Sequence, residues 1–131
     1  MIGPLVDTSV IVDLYRGART SAVAALRGYL IDGPPPATTP VVLQEVLQGA
    51  GDDRVLARLA RQMSGFEPLD APSYVLHEHA ADIFRRARRA GVTSSTVDVL
   101  IVAAAAANRR PLLTADTTQR RVAALVGVEL A

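Results

Sequence analysis

The chain has 131 residues and a formal net charge of +1, and half of its residues are hydrophobic while 21% are charged. These proportions exclude a disordered tail and predict one compact domain over residues 1–131, large enough to form a core without disulfides. Cysteine is absent, which excludes a thiolate zinc site and favours an intracellular setting.

The apolar segments of the sequence are too short for a membrane helix. The longest run covers residues 99–107, whereas a transmembrane helix needs about 20 apolar residues. The first residues also lack the basic segment and the long apolar stretch of a secretion signal. We therefore expect a cytoplasmic protein that does not contact a membrane.

Short apolar segments alternate with helical patterns in the first half of the chain. Residues 2–6 predict a strand, and Asp7 at its end can cap the helix that follows. Apolar residues recur at helical spacing over residues 18–31, until glycine and three prolines stop the helix. A second brief strand is predicted over residues 37–39. A helix over residues 40–49 is expected because proline fits a helix start, where its missing N–H is not needed.

The second half of the chain continues the same alternation. Acidic or hydroxyl residues precede its helical patterns and can cap them, and glycine ends two of them. In chain order, the pattern predicts a helix from Asp52 or Asp53 to Gly65, a strand over residues 66–69, a helix over 72–90, a helix from Ser94, Ser95 or Thr96 to Ala107, a strand over 112–114, a helix capped by Asp116 and an edge strand over 128–130.

Short apolar strands separated by helices are typical of an α/β fold. Because tight turns cannot join parallel neighbours, the intervening helices favour a parallel sheet with helices packed on its faces. The predicted fold class is a three-layer α/β/α sandwich around a mostly parallel, five-stranded sheet.

Four carboxylates occupy positions that such a sheet can bring to one edge. Asp7 and Asp116 follow predicted strands, and ligands of open parallel sheets collect beyond the carboxyl ends of the strands. Asp98 lies in the first turn of a predicted helix, and Glu45 lies in the second turn of another. Oxygen ligands without Cys or a nearby His suit Mg²⁺ or Mn²⁺, which can activate water and neutralise the charge on a phosphate.

Each of these acids also has a purely structural explanation. Asp7 and Asp116 can cap helices, and Asp98 can favour the positive end of a helix. Glu45 can be an ordinary solvated helix residue. The joint pattern favours a site, because the chain contains only four glutamates and the helix that carries Asp98 is otherwise strongly apolar.

The four acidic segments resemble the acidic motifs of PIN-domain nucleases, in order and spacing, over nearly the whole chain. DTSV contains Asp7, VVLQEVLQG contains Glu45, VDVLIVAAAA contains Asp98 and LLTAD contains Asp116. Within that family, a small single domain looks like the VapC toxins of bacterial toxin–antitoxin pairs. Those toxins are metal-dependent endoribonucleases with a five-stranded parallel sheet.

The resemblance implies a role for each matching position. The acids Asp7, Glu45, Asp98 and Asp116 would bind one or two Mg²⁺ or Mn²⁺ ions and carry the catalysis, with Thr8 or Ser9 steadying Asp7 by hydrogen bonding. Water activated by the metal would attack an RNA phosphodiester. The resemblance further implies a cognate antitoxin as partner and a homodimer.

One departure from the family pattern follows the last acid. The family often has another acid and an aromatic residue two and three positions later, where this chain has Thr118 and Gln119. This difference bears on whether a second metal ion can bind, while the four principal acids are all present.

Other function classes stay open at the level of sequence. A catalytically silent PIN-like module that binds RNA or protein would share the fold without cleaving RNA. Another Mg-dependent phosphohydrolase or a receiver domain fits less well, since the phosphatase motif needs an acid where Ser9 stands and a receiver needs lysine, which is absent. His77 and His79 diverge on a predicted helix, so they do not form the usual same-face metal pair.

Overall fold

The computed structural model describes residues 2–69 and 73–131, and this part of the chain contains seven helices and four short strands. The position expected for the start of the fifth helix, residue 72, lies outside the described residues. The elements in chain order are β1 (Leu5–Val6), α1 (Thr8–Tyr15), α2 (Ser21–Ile31), β2 (Ala37–Thr38), α3 (Pro40–Gln48), α4 (Asp53–Met63), β3 (Glu67–Pro68), α5 (Tyr74–Arg89), α6 (Thr96–Ala107), β4 (Leu112–Leu113) and α7 (Thr117–Leu125).

Side-chain caps begin most of these helices, as the sequence predicts. The Asp7 and Asp116 carboxylates accept hydrogen bonds from first-turn amides of α1 and α7. Between the candidates left open by the sequence, Asp52 caps α4 and Ser95 caps α6. Within the described part of the chain, helix α3 has no side-chain cap hydrogen bond. Pro40 lies in its first turn, where the fixed backbone angle of proline favours the start of a helix.

The strands form one parallel sheet in the order β3-β2-β1-β4, at the centre of a three-layer α/β/α sandwich. Leu5 pairs with Ala37 on one side and with Leu112 on the other. The fifth strand expected over residues 128–130 is reduced to a single parallel bridge between Leu112 and Leu130. Among the described residues, two backbone hydrogen bonds join this segment to β4, from the Leu112 N–H to the Glu129 carbonyl and from the Ala131 N–H to the Leu112 carbonyl, so the prediction of five strands is corrected to four.

Helix α6 lies in the hydrophobic core and positions one of the acidic residues. Six of its twelve residues are buried, including the run from 101 to 105. Its alanines allow the helix backbone to approach its neighbours closely, and α5 packs along it. A helix that is apolar on every side must be enclosed, which leaves its first turn, with Asp98, as its polar end.

One arginine ties together the edge of the sheet at which the strands begin, here called the amino edge. Arg110 donates to the Gly3 carbonyl at 3.0 Å and to the Glu67 carboxylate at 2.7 Å. These partners precede β1 and begin β3, while Arg110 precedes β4. The chain also approaches itself closely here, since a Cβ on Gly3 would lie 2.1 Å from the Pro35 carbonyl oxygen.

Within the described residues, none of the helices has the length and apolar character needed to cross a membrane.

Candidate functional site

The four predicted acids lie at the opposite edge of the sheet, the carboxyl edge, which is formed by the residues that follow the strands. Asp7 follows β1 directly, and Asp116 follows β4 at the start of α7. Because β1 and β4 are neighbours in the sheet, their carboxyl ends bring these two acids together. Glu45 comes from α3, the helix after β2, and Asp98 comes from the first turn of α6.

Asp7 is a buried carboxylate held by donors from the chain itself. It is only 4% exposed. Its Oδ2 accepts from the Ser9 backbone N–H at 3.0 Å, and its Oδ1 accepts from the Gln119 side-chain amide at 3.1 Å. A buried charge is costly unless it is paired or hydrogen-bonded. These two bonds meet that requirement without a cationic side chain.

The two hydroxyl residues after Asp7 hold different partners. The Thr8 hydroxyl donates to Glu45 Oε1 at 2.7 Å, so Thr8 orients Glu45 and links α1 to α3. Ser9 contacts Asp7 through its backbone amide, while its hydroxyl accepts from the Ala115 N–H at 3.2 Å. Of the two residues expected to hydrogen-bond Asp7, Ser9 makes that bond, through its backbone amide, and Thr8 bonds Glu45 instead.

Asp98 is the acid whose ionisation the site disfavours. Burial raises the pKa of its carboxyl group, and the charge of Asp7 raises that pKa further, with smaller contributions from Asp116 and Glu45. A hydrogen bond with the Ser95 side chain acts in the opposite direction. Asp98 therefore lies near enough to the other three carboxylates for their charges to affect its ionisation.

Asp116 completes the set while also capping α7. Its Oδ1 accepts from the Gln119 backbone N–H at 2.9 Å, and its own N–H donates to the Thr114 hydroxyl at 3.1 Å. The prediction from sequence that Asp116 caps a helix is therefore confirmed. A cap leaves other carboxylate lone pairs free for a further contact.

Gln119 is a residue of the site that the sequence pattern did not identify. Its side chain is fully buried and donates from Nε2 to Asp7 Oδ1 and, at 3.3 Å, to the Asp98 backbone carbonyl. Its Oε1 has no partner among the described residues. A signal was present in the sequence, because Gln119 shares a helix face with Val122 and Ala123, which are also buried.

The carboxylates converge without forming a closed metal cage. Among residues 2–69 and 73–131, no three acidic or histidine side chains are arranged so that they could hold one ion together. The chemistry of the donors nevertheless fits a hard divalent cation, since carboxylate oxygens accumulate around Asp98 and repel one another. In the same described ranges the one side-chain ion pair lies at the amino edge, between Arg110 and Glu67.

Two cavities lie away from the acids. One, of about 470 Å³, is at the amino edge between the end of α6 and the end of α7, beside Arg109, Arg110 and Glu129. The other, of about 230 Å³, is a mainly apolar cleft between α5 and α6, lined in part by His77 and Phe84. Both His77 and His79 are exposed side chains on α5.

Comparison with known proteins gives a consistent result along the chain. The sequence model of the PIN domain matches residues 5–125. Among curated relatives, the VapC ribonuclease Mb1587 of Mycobacterium bovis and the ribonuclease VapC11 of Mycobacterium tuberculosis are each 32% identical to the chain over 95 residues, covering 72% of this chain and 71% of each relative.

Solved structures share the architecture. A toxin–antitoxin complex from Klebsiella pneumoniae contains a chain that is 27% identical, with a TM-score of 0.67 and coverage of 88% of both chains. The VapBC2 structure from Rickettsia felis, bound to a DNA fragment from its promoter, has a TM-score of 0.79 and covers 100% of this chain and 98% of that one. At 18% identity, the second likeness concerns the fold alone.

Proposed function

Because the chain belongs to the PIN-domain family and to its VapC group, we propose that it is a metal-dependent endoribonuclease that acts as the toxin of a type II toxin–antitoxin pair. The observation that carries the proposal is the placement of Asp7, Glu45, Asp98 and Asp116 at the carboxyl edge, where burial, and then the charges of the other three acids, raise the pKa of Asp98. Such mutual repulsion opposes folding, and a bound cation relieves it.

The four acids would hold one or two Mg²⁺ or Mn²⁺ ions. A bound ion lowers the pKa of water and neutralises charge on a phosphate, which is the chemistry needed to hydrolyse a phosphodiester. The chain itself orients the ligands: the Thr8 hydroxyl sets Glu45, the Ser9 amide sets Asp7, and the first turn of α7 sets Asp116.

RNA is the proposed substrate, and binding of its phosphates needs cationic side chains in addition to the four acids. Arg120 and Arg121 are exposed on α7, within the two turns that follow Asp116. Arginine side chains bind phosphate through paired donors. We assign phosphate contacts outside the metal site to these two residues, and we propose the cytoplasm, where cellular RNA is available, as the location of the protein.

The proposed partner is a cognate antitoxin, supported by the likeness to a chain of the Klebsiella toxin–antitoxin complex. A homodimer is proposed from the family alone. The finer features, namely the divalent metal and the hydrolytic mechanism, rest on the carboxylate cluster described above.

A catalytically silent PIN-like module is the alternative, and two observations favour it. Both carboxylate oxygens of Asp7 are already bonded to donors of the chain, and within the described ranges no three of the acids form a ready cage. Such a module would bind RNA or protein without cleaving RNA.

Cleavage of a panel of structured RNAs by the purified protein tests the proposal. The protein is assayed with Mg²⁺ or Mn²⁺, with EDTA, and as the Asp98→Asn variant. We expect cleavage with metal and its loss in both controls. Folded protein that binds metal but cleaves no RNA of the panel would instead support the silent module.

A further inference from the structure

Gln119 makes hydrogen bonds to three of the four acidic residues, although it carries no charge. Its backbone N–H donates to Asp116 Oδ1 at 2.9 Å. Its side-chain Nε2 donates to Asp7 Oδ1 at 3.1 Å and to the backbone carbonyl of Asp98 at 3.3 Å. One residue therefore joins the end of β1, the first turn of α6 and the first turn of α7.

The orientation of the Gln119 amide is determined by its partners. Both atoms that face Nε2 are acceptors, so turning the amide over would place its oxygen against two other oxygens. In the observed orientation the Oε1 atom is buried and has no partner among the described residues. An unsatisfied buried oxygen opposes folding, so stability alone does not account for glutamine at this position.

A neutral donor has a specific advantage at this point in the cluster. A cationic side chain would compete with a metal ion, and a further carboxylate would add to the repulsion that already raises the pKa of Asp98. The amide instead orients Asp7 and leaves its charge in place. Since a carboxylate oxygen can accept from an amide and still contact a cation, the bond to Gln119 does not block Asp7 as a ligand.

We infer that Gln119 is a positioning residue whose side chain holds Asp7 and the first turn of α6 in the arrangement needed to bind a divalent cation. This inference rests on the proposed function, whose metal ligands it orients. Gln119 is also the buried residue that stands where the family often has an aromatic residue.

The test compares Mn²⁺ binding with stability in Gln119→Met, a substitution that keeps the length of the side chain and removes both the donor and the unpaired oxygen. Mn²⁺ is titrated into metal-free protein by calorimetry, and unfolding is followed separately in EDTA. Loss of a group that orients a metal ligand typically weakens metal binding by about 10- to 100-fold. We expect a weakening in this range while the unfolding temperature in EDTA stays the same or rises.

Gln62→Met is the matched control, because Gln62 is an exposed residue of α4, a helix that carries none of the four acids. It should change neither Mn²⁺ affinity nor stability. Gln119→Met protein that unfolds at a lower temperature but binds Mn²⁺ as tightly as the wild type would overturn the inference, since that result describes a residue needed only for packing.

Gln119→Glu provides an independent test that does not depend on folding of the methionine variant. It keeps the shape of the side chain but places a carboxylate against Asp7. We expect lower stability in EDTA and a larger rise in unfolding temperature on adding Mn²⁺ than in the wild type, because the cation relieves the added repulsion. A rise equal to that of the wild type would contradict the assigned contact.

RNA cleavage separates this inference from the proposed function. Wild-type protein that binds Mn²⁺ but cleaves no RNA overturns the proposed nuclease, while the affinity comparison still decides the role of Gln119. Wild-type protein that cleaves RNA, together with unchanged Mn²⁺ affinity in Gln119→Met, overturns the positioning role alone. Wild-type protein that binds no Mn²⁺ overturns both.

Discussion

The two edges of the sheet both carry charged residues, but opposite charges are paired at one edge, whereas like charges lie together at the other. At the amino edge, the Arg110 side chain is 9% exposed and is bonded to both the Glu67 carboxylate and the Gly3 carbonyl. At the carboxyl edge, four acids converge, and hydrogen bonds from neutral donors orient three of them. Paired charges contribute to the fold, whereas accumulated like charges oppose it.

From this contrast we expect the carboxyl edge to be the place where the fold gives up stability for the proposed function. Residues selected for stability alone would not gather four acids around one another, and functional sites commonly hold such unfavourable arrangements. The difference also separates two kinds of variant. Removing a charge at the amino edge should weaken the fold, and removing one at the carboxyl edge should weaken the activity.

The largest expected effect is on RNA cleavage. Asp7→Asn and Asp98→Asn each remove a proposed metal ligand. Loss of a group that only orients such a ligand can lower activity by about 100-fold, so we expect each of these variants to lower the cleavage rate by more than that. Single-turnover cleavage of a fixed RNA measures the rate. Glu129→Gln removes a carboxylate beside the amino-edge cavity and should leave the rate unchanged. Equal losses in all three variants would remove the distinction between the edges.

Next in size is the effect of Arg110→Met on stability. This change leaves the Gly3 carbonyl without its donor and ends the bond to Glu67, so we expect a loss of about 1–2 kcal/mol in the free energy of unfolding. Loss of the bond to Glu67 adds little to this destabilisation, because the Glu67 side chain is 45% exposed and water replaces its lost partner. Urea unfolding provides the measurement. Mn²⁺ affinity should not change, and a large loss of affinity would show that the edges are coupled.

A smaller effect is expected for Thr8→Val, which removes the hydrogen bond to Glu45 and keeps the shape of the side chain. Mn²⁺ binding, measured by calorimetry, should weaken roughly tenfold, since Thr8 orients a proposed ligand. Thr93→Val is the matched control, because Thr93 is an exposed residue of the loop before α6. If both threonine variants bind Mn²⁺ alike, the bond to Glu45 has no part in metal binding.

The smallest effect concerns the stability of metal-free Asp98→Asn at neutral pH. Removal of a carboxylate whose pKa is raised should stabilise the fold, on the order of 0.5 kcal/mol, because partial exposure screens the repulsion. The folded protein binds a proton at Asp98 more readily than the unfolded chain does. The contribution of Asp98 to wild-type stability therefore increases as pH falls through the raised pKa and is lost as pH rises through it.

The two proteins should consequently converge in stability at acidic pH, once Asp98 is protonated in the wild type and neutral like asparagine. Thermal unfolding in EDTA across the interval between the ordinary pKa of aspartic acid and the raised pKa of Asp98 tests this expectation. A constant difference at every pH would show that the charge of Asp98 is not responsible.

Much of the site could be predicted from local sequence. Asp7 and Asp116 follow buried strands and begin helices, and both facts depend only on neighbours along the chain. The helix after Ser95 is otherwise strongly apolar, so its one charged residue, Asp98, is likewise predicted to have a functional role. Glu45 needed the family resemblance in addition, since a glutamate in the second turn of a helix is ordinary by itself.

Other features depend on distant parts of the chain. Whether residues 128–130 form a strand was decided by how many hydrogen bonds they make to β4, and only Leu130 is bridged. The partner of the Thr8 hydroxyl was decided by the position of α3, which places Glu45 rather than Asp7 within reach. Neither result is encoded in the spacing of nearby residues.

The sequence by itself determined the succession of strands and helices along the chain, narrowed the helix caps to a few residues and predicted the four acids, because periodicity and capping are short-range properties. The tertiary structure alone decided how those acids are held. Gln119 is 112 residues from Asp7 and 21 from Asp98, and it contacts both only because α7 packs against α6 beside the end of β1. Its role follows from packing between elements, which no local pattern specifies.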